Sequence, residues 1–310
     1  MRDRKRLTWR QIPDRVRRAV EASLGAAVVE ARSQEGGFSP GAAARLRLAN
    51  GGTAFVKALG IDVHGPSVGL YRVEADTMPR LPAGLPVPRL LDVYDDGEWV
   101  ALVYEEVDGR PPAIPWRPDE LQRVARALAD LGAALQPTPW PDARGFADVY
   151  GRFLEAWRRL VTAPPVELEP WLRERMEELA GRGSDLGGLV RGNALLHTDI
   201  RSDNLLLTPD GGVVVLDWGW TCNGAPWLDV VLFALTLPLE GGADAEAVVR
   251  AHPLTRDVPP PWIDAILLTS IAHLWLESQL PESPAMPGAR ANQRAYAGAT
   301  IRWLRRRATG

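Results

Sequence analysis

The stretch "LLHTDIRSDNLLLTPDGGVVVLDWGW", residues 195–220, sets His197, Asp199, Asn204 and Asp217 around two short apolar runs divided by a turn signal. One run begins just after Asn204 and the other ends just before Asp217, with "TPDGG" between them, so the spacing predicts a hairpin. Antiparallel strands return the chain to its start, which brings Asn204 and Asp217 to the same end of a two-stranded ribbon. An amide carbonyl beside a carboxylate makes a hard oxygen site. Mg²⁺ suits such a site, because it takes one or two protein oxygens and leaves its other positions to water and phosphate. Asp199, five residues before Asn204, is placed near the metal without having to bind it, where a base for an incoming hydroxyl is wanted. The alternative reading is a polar loop that caps a core.

Upstream, the first third of the chain has the texture of strands and turns. "AAVVEA" (26–31) is followed by the small-residue turn "EGGFSPG" (35–41) and by "AARLRLANGGTAFVKAL" (43–59), where Asn50-Gly51-Gly52 marks a hairpin between alternating runs. A second hairpin is predicted in "LLDVYDDGEWVALVYEE" (90–106), turning at Asp95-Asp96-Gly97, and between the two lies the helix-like "SVGLYRVEADTMPRL" (67–81), which stops at prolines. The order is β-β-β-α-β-β, preceded by an amphipathic helix carrying Val16, Ala19, Val20 and Leu24. That basic helix reads as a solvated face and not as a nucleic-acid surface.

Beyond the proline-rich "DGRPPAIPWRP" (108–118) the period changes. Leu121, Val124, Leu128, Leu131 and Leu135 recur at three and four, which aligns one apolar helix face. Further helices are predicted at 146–160, 167–180, 225–237, 243–252, 262–280 and 291–307, and the only strand signals in this half flank "TPDGG". The chain therefore reads as α+β with two lobes, residues 1–105 and 106–310, meeting at a hinge near 105–109, a usual place for a ligand cleft.

Composition narrows the function classes. With 310 residues, 46% hydrophobic content and a formal net charge of −3, the chain reads as globular, and nothing argues for nucleic acid or an anionic membrane surface as partner. A single cysteine, Cys222, makes neither an intramolecular disulfide nor a thiolate metal cluster. With no apolar segment behind the basic start and no run long enough to span a bilayer, a cytoplasmic location is expected. The first lobe adds parts that fit the metal site: Lys57 as a cation fixed on a strand, Glu74 on the next helix as its ion-pair partner, and turn amides near Gly36 and Gly37 able to approach phosphate oxygens.

The set Gly36-Gly37-Phe38-Ser39, Lys57, Glu74, "LVYEEVDGRP", "HTDIRSDN" and "LDWG" resembles the protein-kinase-like fold, in the branch of the aminoglycoside phosphotransferases and choline kinase-related enzymes. Its most specific part is His197-x-Asp199-x₄-Asn204, with Asp217-Trp218-Gly219 thirteen residues beyond Asn204. The resemblance implies a small N-terminal β-sheet lobe with one main helix and a larger, mostly helical C-terminal lobe. It implies Asp199 as the catalytic aspartate and Asn204 and Asp217 as magnesium ligands. Lys57 corresponds to the lysine on the α- and β-phosphates and Glu74 to its partner, while Glu105 and Val107 correspond to the hinge positions whose backbone binds adenine. His197 is implied as structural, and Asp229 as a brace of the catalytic loop.

Departures from the protein-kinase pattern separate the classes further. "QEGGFSPG" is not G-x-G-x-x-G, "HTD" and "DWG" replace "HRD" and "DFG", and no segment ends in Ala-Pro-Glu. The expectation is an ATP-dependent phosphotransferase with Mg²⁺, acting on a hydroxyl of a small molecule, either an antibiotic, in which case the role is resistance, or a metabolite. GTP in place of ATP stays open, as does monomer or homodimer. A catalytically silent nucleotide-binding module is the alternative, with a protein kinase behind it. Glu240, Asp244, Asp264, Glu277 and Glu282 are candidates for an acidic floor under a cationic acceptor. His273 and Glu277, one turn apart, are either a satisfied core pair or part of an acceptor pocket.

Overall fold

Residues 6–34, 39–164, 168–174, 186–282 and 288–309 are described by the computed structural model. They divide into two compact units: one is the chain up to Pro111 together with Ser202–Thr221, and the other is Pro112–Arg201 with Cys222 onward.

In the first unit, helix α1 (Asp14–Leu24) buries Val16 and Val20, four residues apart, and leaves Arg15 and Arg18 exposed. Gly25, at φ +68, closes it. Strands β1 (Val28–Ser33), β2 (Ala42–Leu48) and β3 (Thr53–Gly60), helix α2 (Ile61–Thr77), and strands β4 (Leu90–Asp95) and β5 (Trp99–Tyr104) follow in the expected order. They form an antiparallel sheet of five strands ordered β1-β2-β3-β5-β4. Gly51 and Gly97, at φ +84 and +88, sit in the two expected hairpin turns.

Register explains which way Lys57 faces. Ala44 pairs with Val56 and Val56 with Val103, and these residues, with Ala42, Leu46, Ala54, Ala58, Trp99 and Ala101, share one buried cluster with Trp9, Ile12, Val16 and Val20 of the N-terminal segment. Strand side chains alternate between faces, so Lys57, paired between Ala43 and Leu102, emerges on the opposite face. Helix α2 packs against β3 and β5. It starts earlier than the sequence pattern suggests: His64 is non-helical (φ −164°, ψ 87°), its Nδ1 lies 2.8 Å from Ser67 Oγ, and Pro66 occupies the first turn of the helix body, where no intrahelical bond is lost.

The second unit begins with α3 (Pro118–Ala134), whose Val124, Leu128 and Leu131 form the buried stripe. The helix expected over 146–160 is two, α4 (Phe146–Val149) and α5 (Gly151–Thr162), broken at Tyr150. Of the helix expected over 167–180, α6 (Pro170–Glu174) is present, while residues 167 and 175–180 lie outside the described residues. After α7 (Leu186–Leu189) comes β6 (Ala194–Leu196). The hairpin β7 (Leu205–Leu207) and β8 (Val213–Val215) then belongs to the first unit, where Arg110 and Leu207 exchange backbone hydrogen bonds of 3.1 and 2.7 Å. Strand β9 (Cys222–Gly224) pairs antiparallel with β6, a ribbon the sequence reading did not foresee because three residues per strand are too few to alternate visibly.

Helices α8 (Leu228–Ala234), α9 (Leu237–Glu240), α10 (Ala245–Ala251), α11 (Pro260–Ser278) and α12 (Ala289–Thr309) complete the second unit. Helix α11 is buried nearly all round and packs against α5 and α12. The arginine-rich end of α12 is held in place: Arg305 pairs with Glu169 at 2.7 Å, and the buried Arg307 pairs with Asp264 at 2.6 Å and with Glu246. No helix among the described residues is long and apolar enough to cross a membrane.

Candidate active site

In the first unit the charged groups converge on Lys57. Its Nζ lies 2.6 Å from Glu74 Oε2 and 2.9 Å from Asp217 Oδ1. Burial works against the ammonium, but the carboxylates of Asp217 and Glu74 outweigh it and hold Lys57 well above the ordinary lysine range. Burial pushes the Glu74 carboxyl up, the ammonium pulls it back, and the net displacement stays upward. Two aromatic residues, Tyr104 and Tyr71, complete the set. Tyr104, the last residue of β5, donates its hydroxyl to Glu74 Oε1 at 2.8 Å. Tyr71 lies one helical turn before Glu74, and Lys57 Nζ sits 5.0 Å from its ring centroid. The Tyr71 hydroxyl is 3.1 Å from Ser39 Oγ. An i, i+3 pair on α2 thus addresses one lysine, a spacing that was readable in the sequence.

These contacts separate two effects of Tyr71. Tyr71→Phe keeps the ring under the ammonium and is expected to leave nucleotide affinity within about twofold, whereas Tyr71→Leu removes the ring and is expected to weaken it about fivefold. Calorimetric titration of both variants with Mg-ATP checks the order.

The hairpin brings the two residues proposed from the sequence as oxygen donors to one end of the ribbon. The Leu216 N–H donates to the Asn204 carbonyl at 2.9 Å, so the residues just outside β7 and β8 are neighbours. Asn204 is buried, and Asp217 is left-handed (φ 66°, ψ 66°), a conformation that Asp tolerates better than most residues. Trp218 behind it is wholly buried and donates Nε1–H to the Val215 carbonyl at 3.2 Å. Gly219 lies against the α2 backbone, where an added Cβ would stand 3.0 Å from the Leu70 carbonyl oxygen. The donor set fits a hard dication: an amide oxygen and a carboxylate, with the remaining positions left to phosphate and water. Among the described residues, no three or more His, Cys, Asp or Glu side chains group in a way that could hold a metal ion.

At the hinge, the Glu105 N–H is taken by the Arg89 carbonyl at 3.0 Å, and the Glu105 carboxylate accepts the Arg89 N–H at 3.0 Å. Among the described residues, neither the Glu105 carbonyl nor the Val107 N–H has a backbone partner. Ser39 is described, while Gly36, Gly37 and Phe38 lie outside the described residues.

In the second unit, Asp199 follows two residues gripped by one carboxylate. Asp229, at the start of α8, accepts the N–H of His197 at 2.9 Å through Oδ2 and that of Thr198 at 2.7 Å through Oδ1. His197 is fully buried, and its Nδ1 accepts the Asp199 N–H at 3.1 Å. Arg201 Nη1 lies 3.4 Å from Asp199 Oδ1. The acidic residues considered as a floor are spread out and engaged: Glu240 accepts from Trp116 Nε1, Asp244 caps α10, Asp264 holds Arg307, and Glu277 faces Arg152 and Arg290 at 3.7 and 3.5 Å. Glu282 is exposed. His273 meets Phe153 edge-on at 5.6 Å, and burial holds it below the ordinary histidine range.

Comparison with known proteins agrees with this architecture. The family model "Phosphotransferase enzyme family" matches residues 64–262, well over half of the chain. Among solved structures, a thermostable mutant of the aminoglycoside phosphotransferase APH(4)-Ia, in ternary complex with AMP-PNP and hygromycin B, is similar at 17% identity with a TM-score of 0.65, over 94% of this chain and 98% of that one. Choline kinase LicA from Streptococcus pneumoniae is similar at 15% identity and TM-score 0.63, over 94% and 99% of the two chains. Macrolide 2'-phosphotransferase MphH from Brachybacterium faecium gives 20% identity and 0.56, over 93% and 97%. No curated protein sequence matches at a significant level.

Proposed function

The chain belongs to the phosphotransferase enzyme family, and from that membership we propose that it transfers the γ-phosphoryl group of ATP to a hydroxyl of a small molecule. The observation that carries the reading is Lys57 standing between Glu74 and Asp217 at 2.6 and 2.9 Å. A half-buried lysine held charged by two carboxylates, one of them partly open to solvent and close to Asn204 in the hairpin, is suited to phosphate and to a dication in one place.

The residues divide the work. Lys57, kept in position by Glu74, binds phosphate oxygens, and the Glu105 carbonyl and Val107 N–H receive the adenine edge. Gly36, Gly37, Phe38 and Ser39 are the positions that the family resemblance assigns to phosphate contacts. Asn204 and Asp217 hold Mg²⁺, which when bound neutralises charge on the phosphates. Asp199 orients the acceptor hydroxyl and takes its proton as the new P–O bond forms and the bond to the ADP leaving group breaks. Asp229 and His197 hold the Asp199 backbone. The acceptor is an antibiotic or a metabolite with a free hydroxyl.

A thermal-shift assay with Mg-ATP, followed by a turnover screen over hydroxylated antibiotics, amino alcohols and sugars, tests the proposal. Stabilisation by Mg-ATP and ADP release with at least one acceptor are expected. Stabilisation without turnover of any acceptor transfers the assignment to a nucleotide-binding regulatory module.

A further inference from the structure

Tyr150 has no part in the scheme above, yet the fold has fixed its hydroxyl with care. The residue occupies the break between α4 and α5, its ring stacked on Phe146 (centroids 4.5 Å apart, planes at 23°) and met edge-on by Phe153 at 6.2 Å. Held on both sides, the ring places its hydroxyl 2.7 Å from Thr198 Oγ1. Thr198 is the middle residue of His197-Thr198-Asp199, and its backbone is left-handed at φ +65. A β-branched residue in that region costs roughly 1–2 kcal/mol and persists only where its surroundings over-determine it. Its holds include the N–H on the Asp229 carboxylate at 2.7 Å and the side chain on Tyr150. A glycine would adopt the same conformation without a grip on its side chain.

We infer that Tyr150 is a positioning residue for Asp199: by gripping the Thr198 hydroxyl it holds the left-handed turn that sets the direction in which the next residue presents its carboxylate. The inference rests on Asp199 being the base that takes the acceptor proton. Burial keeps the Tyr150 phenol well above its ordinary range, so the grip is a neutral hydroxyl and adds no second negative charge beside Asp199.

Tyr150→Phe keeps the stacked ring and deletes one oxygen. With Mg-ATP and water, or an acceptor from the screen, as the probe, kcat is expected to fall about tenfold while KM for ATP holds, the size of one lost hydrogen bond. Hydrogen exchange of the peptide containing residues 196–200 provides a readout that needs no turnover, and it is expected to speed up about tenfold. In a Thr198→Gly background, where no side chain remains to be gripped, Tyr150→Phe is expected to change neither quantity further. Unchanged kcat and exchange in Tyr150→Phe overturn the inference, even if the melting temperature falls. Equal losses in the Thr198→Gly background overturn it too, because the hydroxyl then acts elsewhere. Asp199→Asn, run alongside, separates the premise: turnover retained by that variant removes the base assignment, while the exchange result still decides whether Tyr150 grips the loop.

Discussion

Asp199→Asn is expected to bind Mg-ATP as tightly as the unaltered protein and to turn over about a thousandfold more slowly, within the range found when a general base is removed. The substitution keeps shape and hydrogen-bonding reach, and it changes whether the group can accept a proton. The loop has backbone holds of its own. The Asp199 N–H goes to His197 Nδ1, and the two residues before it hang on Asp229. Its ion pair with Arg201, at 3.4 Å between side chains that are both about a quarter exposed, is worth little to stability. Calorimetry for nucleotide affinity and ADP release for turnover give the two numbers. Turnover undiminished by the substitution would sink the assignment, and loss of binding together with turnover would mean that Asp199 serves the nucleotide.

The sequence made some of this site readable and hid the rest for physical reasons. The hairpin β7–β8 was legible because two apolar runs flank a Pro-Asp-Gly-Gly turn, and its antiparallel course brings Asn204 beside Leu216 whatever surrounds it. Lys57 was legible through alternation: Ala54, Val56 and Ala58 occupy one face of β3, so the lysine has to occupy the other. The lobed α+β architecture followed from the change of period beyond the proline-rich stretch 108–118. What stayed hidden depends on tertiary placement. The bond from Tyr104 to Glu74 spans thirty residues and two elements. The ribbon β6–β9 has strands too short to show a pattern, and Tyr150 lies inside what read as one continuous helix. The left-handed backbone of Thr198 had no signal at all, since a β-branched residue is the last expected at positive φ.

Asp217→Ala is expected to abolish the Mg²⁺-dependent part of nucleotide binding. Affinity should fall about a hundredfold, to the level that the unaltered protein shows in excess chelator, and adding Mg²⁺ should no longer restore it. The carboxylate serves Lys57, whose Nζ lies 2.9 Å from Oδ1, as well as the metal proposed beside Asn204. Loss of affinity therefore has three competing causes: a missing metal ligand, a lysine released from one partner, and a backbone that Ala tolerates poorly at φ +66. Glu74 argues against the second, because its contact to the same Nζ, at 2.6 Å, survives the substitution and keeps the ammonium placed. Asp217→Asn disposes of the third. Asn tolerates the left-handed conformation and nearly matches Asp in shape, yet it offers the dication a neutral amide in place of a carboxylate. Both variants should therefore lose the Mg²⁺ dependence, while Asn alone retains the melting temperature of the unaltered protein. If Mg²⁺ still tightens nucleotide binding in both, Asp217 is only the second counter-ion of Lys57, and the metal assignment of the hairpin fails with it.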